Sequence, residues 1–425
     1  MTIKEQARAM KADSFLAMAT TLKTRNLALE AIAKALEDNR TEIIKENQID
    51  LEIAKEEKLA GPLLGRLEFD NKKIDGVITG IHDLIGLPDP IGKKLLEKEL
   101  DEGLRLVRQS CPIGVIGVIF ESRPDALIQI STLCLKSGNC AILKGGHEAL
   151  HTNRILFRLV HDAAVKAGLP ENWLFLAEAR SEINELLDCH DYVDLLIPRG
   201  SNQFVQYIMN NTKIPVMGHA DGICHCYVDQ DADLAKAVKV VLDSKTQATS
   251  VCNATETLLV HRRILSSFLP MMKEAFDEKK VEIRGTKEIQ AVIDCLPASE
   301  EDWSTEYLDL IISVKAVEDV DEAIKHINHF GSHHTDAIIT ENDATAEHFM
   351  NLVDSAGVYH NASTRFADGY RYGFGAEVGI STSKLHARGP VGLEGLCTYK
   401  YKLYGHGHIV ADYATGVKSF HFKEL

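Results

Sequence analysis

A chain of 425 residues with 45% hydrophobic and 26% charged side chains has the make-up of a globular enzyme of about two to three domains. Its net charge of −15 works against nucleic acid and anionic membranes as partners, so any phosphate it handles needs local cations or helix N-termini. The stretch MTIKEQARAMKADS lacks the apolar segment of a secretory signal, and no apolar run reaches the roughly 18 residues of a membrane helix, so the cytosol is the expected compartment.

Residues 1 to about 60 read as helices, with apolar side chains at helical spacing and charges between them. The helical pattern continues to about residue 86, where GLPDPIG breaks it. From residue 104, LRLVRQSCPIGVIGVIF alternates and then turns continuously apolar. That pattern predicts a hairpin or extended strand running into a buried strand. A strand–helix rhythm follows. CAILKGG is a strand, and HEALHTNRILFRLVHDAAVKAG is a helix closed by Gly168. YVDLLIPRGS is a strand and NQFVQYIMNNT a helix, and IPVMGHADGICHCYVD reads as two short strands. A second series contains the helices ADLAKAVKVVLDSKTQ, RILSSFLPMMKEAFDEKK and VDEAIKHINHF with the strands ETLLVH, DLIISVKAV and DAIIT. FADGYRYGFGAEVGIS is rich in glycine and aromatics, and the tail LCTYKYKLYGHGHIV alternates like an edge strand. The whole predicts an α/β protein with a doubly wound, mostly parallel sheet.

Nine cysteines, an odd number without a secretory signal, imply free thiols. The sequon at Asn253–Thr255 is then an accident of sequence. Cys224 and Cys226 flank His225 without a second pair at zinc spacing, and read as alternating positions of a buried strand. The histidines of HINHFGSHHTD (His326, His329, His333, His334) look like a metal cluster at first sight, but their spacing favours a structural reading over a metal site.

A full dinucleotide fingerprint is missing: IGVIGVIF has glycines three apart and no Gly-x-Gly-x-x-Gly. The turns KGG (144–146) and RGSN (199–202) put small residues where a helix N-terminus offers free N–H groups. They suit phosphate, or are plain turns. Cys252, in SKTQATSVCNATETLLVH, follows a predicted helix and a Ser/Thr-rich turn. Loop N–H groups and a helix dipole there suit a nucleophile, and a buried structural thiol fits the same pattern.

The succession CPIGVIGVIFESRPD, AILKGGHEA, PRGSNQFV, GHADGICHCYVD, ATSVCNATETLLVH, HHTDAIIT, HNASTRFADGYRYGFGAEVGIST and HARGPVGLEGL resembles the aldehyde dehydrogenase superfamily over nearly the whole chain. It is most similar to the branch that reduces glutamyl 5-phosphate. The resemblance implies an aldehyde-dehydrogenase-like α/β fold with three parts. These are a Rossmann-type cofactor domain (1–103 and 119–240), an α/β catalytic domain (241–390) and a small β oligomerisation flap (104–118 and 396–425). In the flap, the strand around 104–113 pairs with the strand after 396.

The same resemblance implies NADPH-dependent reduction of L-glutamyl 5-phosphate to glutamate 5-semialdehyde, in proline biosynthesis, through a thioester on Cys252. It implies a homo-oligomer, with the upstream glutamate kinase as a candidate partner and no metal. Ser122 takes the place of the oxyanion-hole Asn. Lys144 falls on the lysine that contacts the cofactor ribose. His147, next to Glu148, stands where NAD-preferring members carry Glu, which removes repulsion of a 2′-phosphate. Gly200 and Ser201 begin the helix that faces the pyrophosphate, and Glu306 falls on the carboxylate that holds the nicotinamide ribose. Arg123 and Arg365 are the candidates for substrate carboxylate or phosphate, which arginine binds through its forked geometry. His219 replaces the Glu that activates water in hydrolytic members, so the thioester is spared from water and exchanged with phosphate; His219 itself would bind phosphate or cap its loop. The alternatives are a hydrolytic NAD(P) dehydrogenase of another acidic aldehyde and an inactive structural relative.

Overall fold

The computed structural model describes residues 2–59, 61–121, 123–179, 182–218 and 221–425. Helices open the chain, at Ile3–Ala19, Leu22–Asp38, Arg40–Glu56 and Asn71–Gly86. The first starts with a capping box: the Glu5 N–H donates to Thr2 Oγ1 while the Thr2 N–H donates to the Glu5 carboxylate. Leu22–Asp38 buries Ala28, Leu29, Ile32, Ala33 and Leu36, one apolar stripe at helical spacing, in the larger core.

That core surrounds a parallel sheet with strand order Leu174–Ala177, Cys140–Lys144, Val115–Phe120, Leu195–Arg199. Val115–Phe120 is buried at every position, as expected of a parallel strand covered on both faces. A second parallel sheet runs Leu296–Pro297, Glu282–Gly285, Ile311–Val317, Thr255–His261, Cys224–Val228, Thr335–Ile339, Gly357–His360. The chain thus forms α/β layers with right of place to two sheets rather than one. A third, antiparallel sheet joins Cys397–Tyr404, Leu104–Pro112, Lys94–Asp101 and Lys423–Glu424.

In three places the strand pairing cuts across the expected domain limits. Cys224–Val228 lies between Thr255–His261 and Thr335–Ile339, so the second sheet begins at residue 224 and not after 240. Its five residues are all buried, and a central position in the larger sheet covers both of their faces. Val115–Phe120 belongs wholly to the first sheet, so the flap ends before residue 115. The flap also takes Lys94–Asp101, whose charged sequence KLLEKELD hid a strand that is paired on both sides. The pairing of Leu104–Pro112 with Cys397–Tyr404 is as expected, in register from Cys397 opposite Pro112 to Tyr404 opposite Arg105. Of the two short strands read in 214–229, one forms; the other is a single bridge between Val216 and Leu196. Among the described residues no helix is long and apolar enough to cross a membrane.

The C-terminal edge of the first sheet faces the N-terminal edge of the second. Lys144 and Arg199 end strands of the former, and the turn holding Cys252 precedes Thr255–His261 of the latter. Asn202 joins these edges by reaching Asp221 and Glu306, and the carboxyl ends of the strands are where an open α/β sheet places its ligands.

Candidate active site

Cys252 is half-buried in the turn between the helix Leu234–Thr246 and the strand Thr255–His261. Its loop is fastened to the segment 363–367. Asn253 Nδ2 donates to the Ala367 carbonyl at 2.8 Å, and Thr364 Oγ1 donates to the Asn253 carbonyl at 2.7 Å. The Thr255 and Thr364 hydroxyls are 3.2 Å apart. Cys224 Sγ donates to the Cys252 carbonyl at 3.3 Å. A Cβ placed on Gly222 would lie 2.2 Å from that same carbonyl oxygen and 2.4 Å from Cys252 Cα. The backbone of Gly222 therefore forms one wall of the loop that carries Cys252.

The fastening carries Arg365 into the site. It is 8% exposed, and its Nε donates to Gln247 Oε1 at 2.8 Å. Burial and then Arg371 push its pKa down, and Cys252 is among the groups that oppose them. Arg199, half-buried at the end of its strand, is pushed down by burial and then by Arg123, with Glu377, Cys252 and Asp125 opposing. Cys252 thus lies near enough to both guanidinium groups to be felt by each. Arg123 lies farther out, exposed and bound to Asp125 at 2.9 Å.

Lys144 is 5% exposed and its Nζ donates to the Gly145 carbonyl at 2.7 Å. Burial lowers its pKa against the pull of Glu182, Glu148 and Glu178. A Cβ on Gly145 would meet Asn153 Nδ2 at 2.3 Å, and one on Gly146 would meet Glu148 Oε1 at 2.1 Å. Glu148 is folded back under the turn, while His147 points outward with its side chain 82% exposed, 3.4 Å from Glu148 and 3.8 Å from Glu57.

At the second turn, a Cβ on Gly200 would come within 2.9 Å of Glu121 Oε2. Burial and Glu148 raise the Glu121 pKa, and a hydrogen bond from the Ser201 N–H opposes them. A carboxyl oxygen thus rests at the N-terminus of Asn202–Asn210, where a phosphate is expected to bind. Asn202 Nδ2 donates to Glu306 Oε2 at 2.9 Å and also to Asp221. The Gly200–Ser201 turn of the first sheet and Glu306 beside the second sheet therefore meet through one amide. Gly-lined turns, a helix N-terminus, a strand-end lysine and a facing carboxylate are what a nicotinamide dinucleotide requires.

Ser122 and His219 lie outside the described residues. The histidines of 326–334 do not converge: His326 and His334 are buried, and His329 is exposed. Among the described residues, no group of three or more His, Cys, Asp or Glu is placed to hold a metal ion. Cys224 and Cys226 sit on a fully buried strand as expected, and burial pushes the Cys226 thiol up to about 11. Sequence reasoning missed Gly222, and it included Arg199 and Asn202 in the RGSN turn without giving their side chains a role. Arg199 was legible near the end of a predicted strand, where α/β sheets place functional groups. The close approach at Gly222 had no local signal.

A model of the aldehyde dehydrogenase family matches residues 2–294. The gamma-glutamyl phosphate reductase of Acetivibrio thermocellus is 59% identical over 425 residues, covering 100% of this chain and 99% of that protein. The crystal structure of gamma-glutamyl phosphate reductase from Thermotoga maritima superposes with a TM-score of 0.93 at 41% identity, over 95% of this chain and 99% of that one. A glyceraldehyde-3-phosphate dehydrogenase of Methanocaldococcus jannaschii, solved with NADP, shares the fold at 17% identity, with a TM-score of 0.66 over 95% of this chain and 94% of that one.

Proposed function

The chain belongs to the aldehyde dehydrogenase family, and we propose that it reduces L-glutamyl 5-phosphate to glutamate 5-semialdehyde and phosphate, the step its similar relatives are named for. The observation that carries this reading is a half-buried cysteine whose loop is hydrogen-bonded to the segment that bears the buried Arg365.

The Cys252 thiolate attacks the acyl carbon, the C–O bond to phosphate breaks, and a glutamyl thioester remains on Sγ. Arg199 and Arg365 hold the negative groups of the substrate and stabilise the departing phosphate. The Cys252 backbone N–H, with Ser122, serves the oxyanion. NADPH, when bound, supplies the hydride that reduces the thioester. The thiohemiacetal then collapses, releasing the aldehyde and returning Sγ as thiolate. Lys144 and Glu306 would hold the two riboses of the cofactor, and the turn of Gly200 and Ser201 would receive its pyrophosphate. With His219 in place of a carboxylate base, water is not activated and the thioester partitions to the aldehyde. His147, exposed at the first turn, favours the 2′-phosphate of NADPH. The place of the reaction is the cytoplasm, in proline biosynthesis, and the flap sheet joins protomers of a homo-oligomer.

The test is the reverse reaction, oxidation of glutamate 5-semialdehyde, with and without phosphate. Turnover that requires phosphate or arsenate supports the reading; turnover with water alone defeats it. Cys252→Ala should abolish turnover while the melting temperature stays within about 4 °C, because the side chain it removes is small and only half-buried.

A further inference from the structure

Beneath the nucleophile loop lies an ion pair that the reaction does not use. Lys245 Nζ donates to Glu256 Oε2 at 2.5 Å, and both side chains are 0% exposed. Lys245 is in the last turn of the helix before Cys252, and Glu256 is in the strand after it. The pair therefore closes the base of the loop that carries the nucleophile. Burying two charges costs more than most ion pairs return, and apolar residues of like volume generally serve the fold as well or better. Stability alone gives this pair no reason to be there.

The second oxygen of Glu256 points to one. Glu256 Oε1 accepts from the Leu308 N–H at 3.3 Å. Leu308 has φ +54°, a left-handed conformation that a leucine adopts at a cost, and its side chain is exposed, so packing does not hold it there. The residues beside it are held as well. The Tyr307 hydroxyl donates to Asp302 at 2.6 Å and lies 2.7 Å from the Ser313 hydroxyl. The Tyr307 ring has Lys245 Nζ 5.9 Å and the Arg284 guanidinium 5.1 Å from its centre. Glu306 receives Asn202 from the opposite side of the cleft. One continuous set of contacts thus runs from both ends of the Cys252 loop, through Glu256, to the segment that presents Glu306.

We propose that the buried Lys245–Glu256 pair is a positioning device: through the Leu308 N–H it sets where Glu306 meets the cofactor relative to Cys252. The inference rests on the reading of Cys252 as nucleophile and Glu306 as cofactor ligand.

The test uses the full chain carrying Lys245→Met/Glu256→Leu, which removes both charges and the acceptor for Leu308 while filling the space. The melting temperature should stay within about 4 °C of wild type or rise. The KM for NADP in the reverse reaction should increase about tenfold or more, with kcat reduced and the KM for the aldehyde changed less than about twofold. A second variant, Lys245→Met/Glu256→Gln, keeps an acceptor for the Leu308 N–H and should recover most of the cofactor KM. A folded Met/Leu variant with unchanged NADP KM overturns the proposal. So does a Gln variant as impaired as the Leu one. Glu306→Gln separates the two readings. If it raises the NADP KM and the Met/Leu variant does not, only the positioning role falls. If Glu306→Gln leaves that KM unchanged, the assignment of Glu306 falls and takes the positioning role with it.

Discussion

Gly222 and Cys252 touch backbone to backbone: a single methyl on the glycine would overlap the cysteine carbonyl at 2.2 Å. Both partners are main chain, so no side-chain rotation relieves the clash. Gly222→Ala must displace the loop that aims Sγ. The expected outcome is a kcat loss of about 100-fold, since a shift of roughly 1 Å at a reacting group has that effect. Steady-state rates beside the melting temperature check it: a variant that melts normally and turns over normally would show that the loop tolerates the displacement.

Arg199 and Arg365 make different predictions. Arg365 is fixed by its bond to Gln247 and by burial, and a lysine cannot reproduce a guanidinium that binds through several N–H groups. Arg365→Lys should therefore lower kcat/KM by about 30-fold or more. Arg199→Met should lower it by a similar factor, with the loss mainly in the phosphate-dependent step. The dependence of the reverse rate on phosphate concentration reads this out, and an unchanged KM for phosphate would remove Arg199 from the phosphate site.

Cofactor choice is predicted at His147. Its exposed ring stands at the first glycine turn while Glu148 is folded beneath. A carboxylate introduced at 147 would repel a 2′-phosphate and accept from a 2′-hydroxyl. His147→Glu should shift the ratio of kcat/KM values for NADP and NAD toward NAD by about tenfold. Wild type should prefer NADP, and a wild-type preference for NAD would refute the role given to His147.

His326 links stability to acid. Burial first, then His225, Lys315 and His329, lower its pKa to about 2. Lys315 Nζ sits 3.2 Å from its Nδ1, an arrangement that needs the neutral ring as acceptor. The unfolded chain takes up this proton near pH 6.5, the folded chain only near pH 2. The contribution is therefore complete above about pH 6.5 and declines as pH falls below it, by about 1.4 kcal/mol per pH unit. His326→Gln should flatten the fall in urea stability between pH 6.5 and 4.5 by roughly that slope.

The chain's own order of residues determined the alternation of helices and strands, the burial of Cys224 and Cys226, the edge strand at the C-terminus and the turns that end in Lys144 and Gly200. These follow from local periodicity, from glycine and proline, and from apolar runs long enough to be read without partners. The motif words around Cys252 also singled it out as the candidate nucleophile. Tertiary structure alone decided which sheet each strand joins. Cys224–Val228 could have ended the first sheet as readily as entered the second, because a buried parallel strand looks the same in either. Lys94–Asp101 was invisible because a strand at a small exposed sheet needs no apolar run. The site depends on the same nonlocal facts. Arg199, Gly222 and the Lys245–Glu256 pair acquire meaning only when the end of one sheet is set against the start of the other. Electrostatic and steric contact depend on distance in space, and residues far apart in sequence carry no local trace of it.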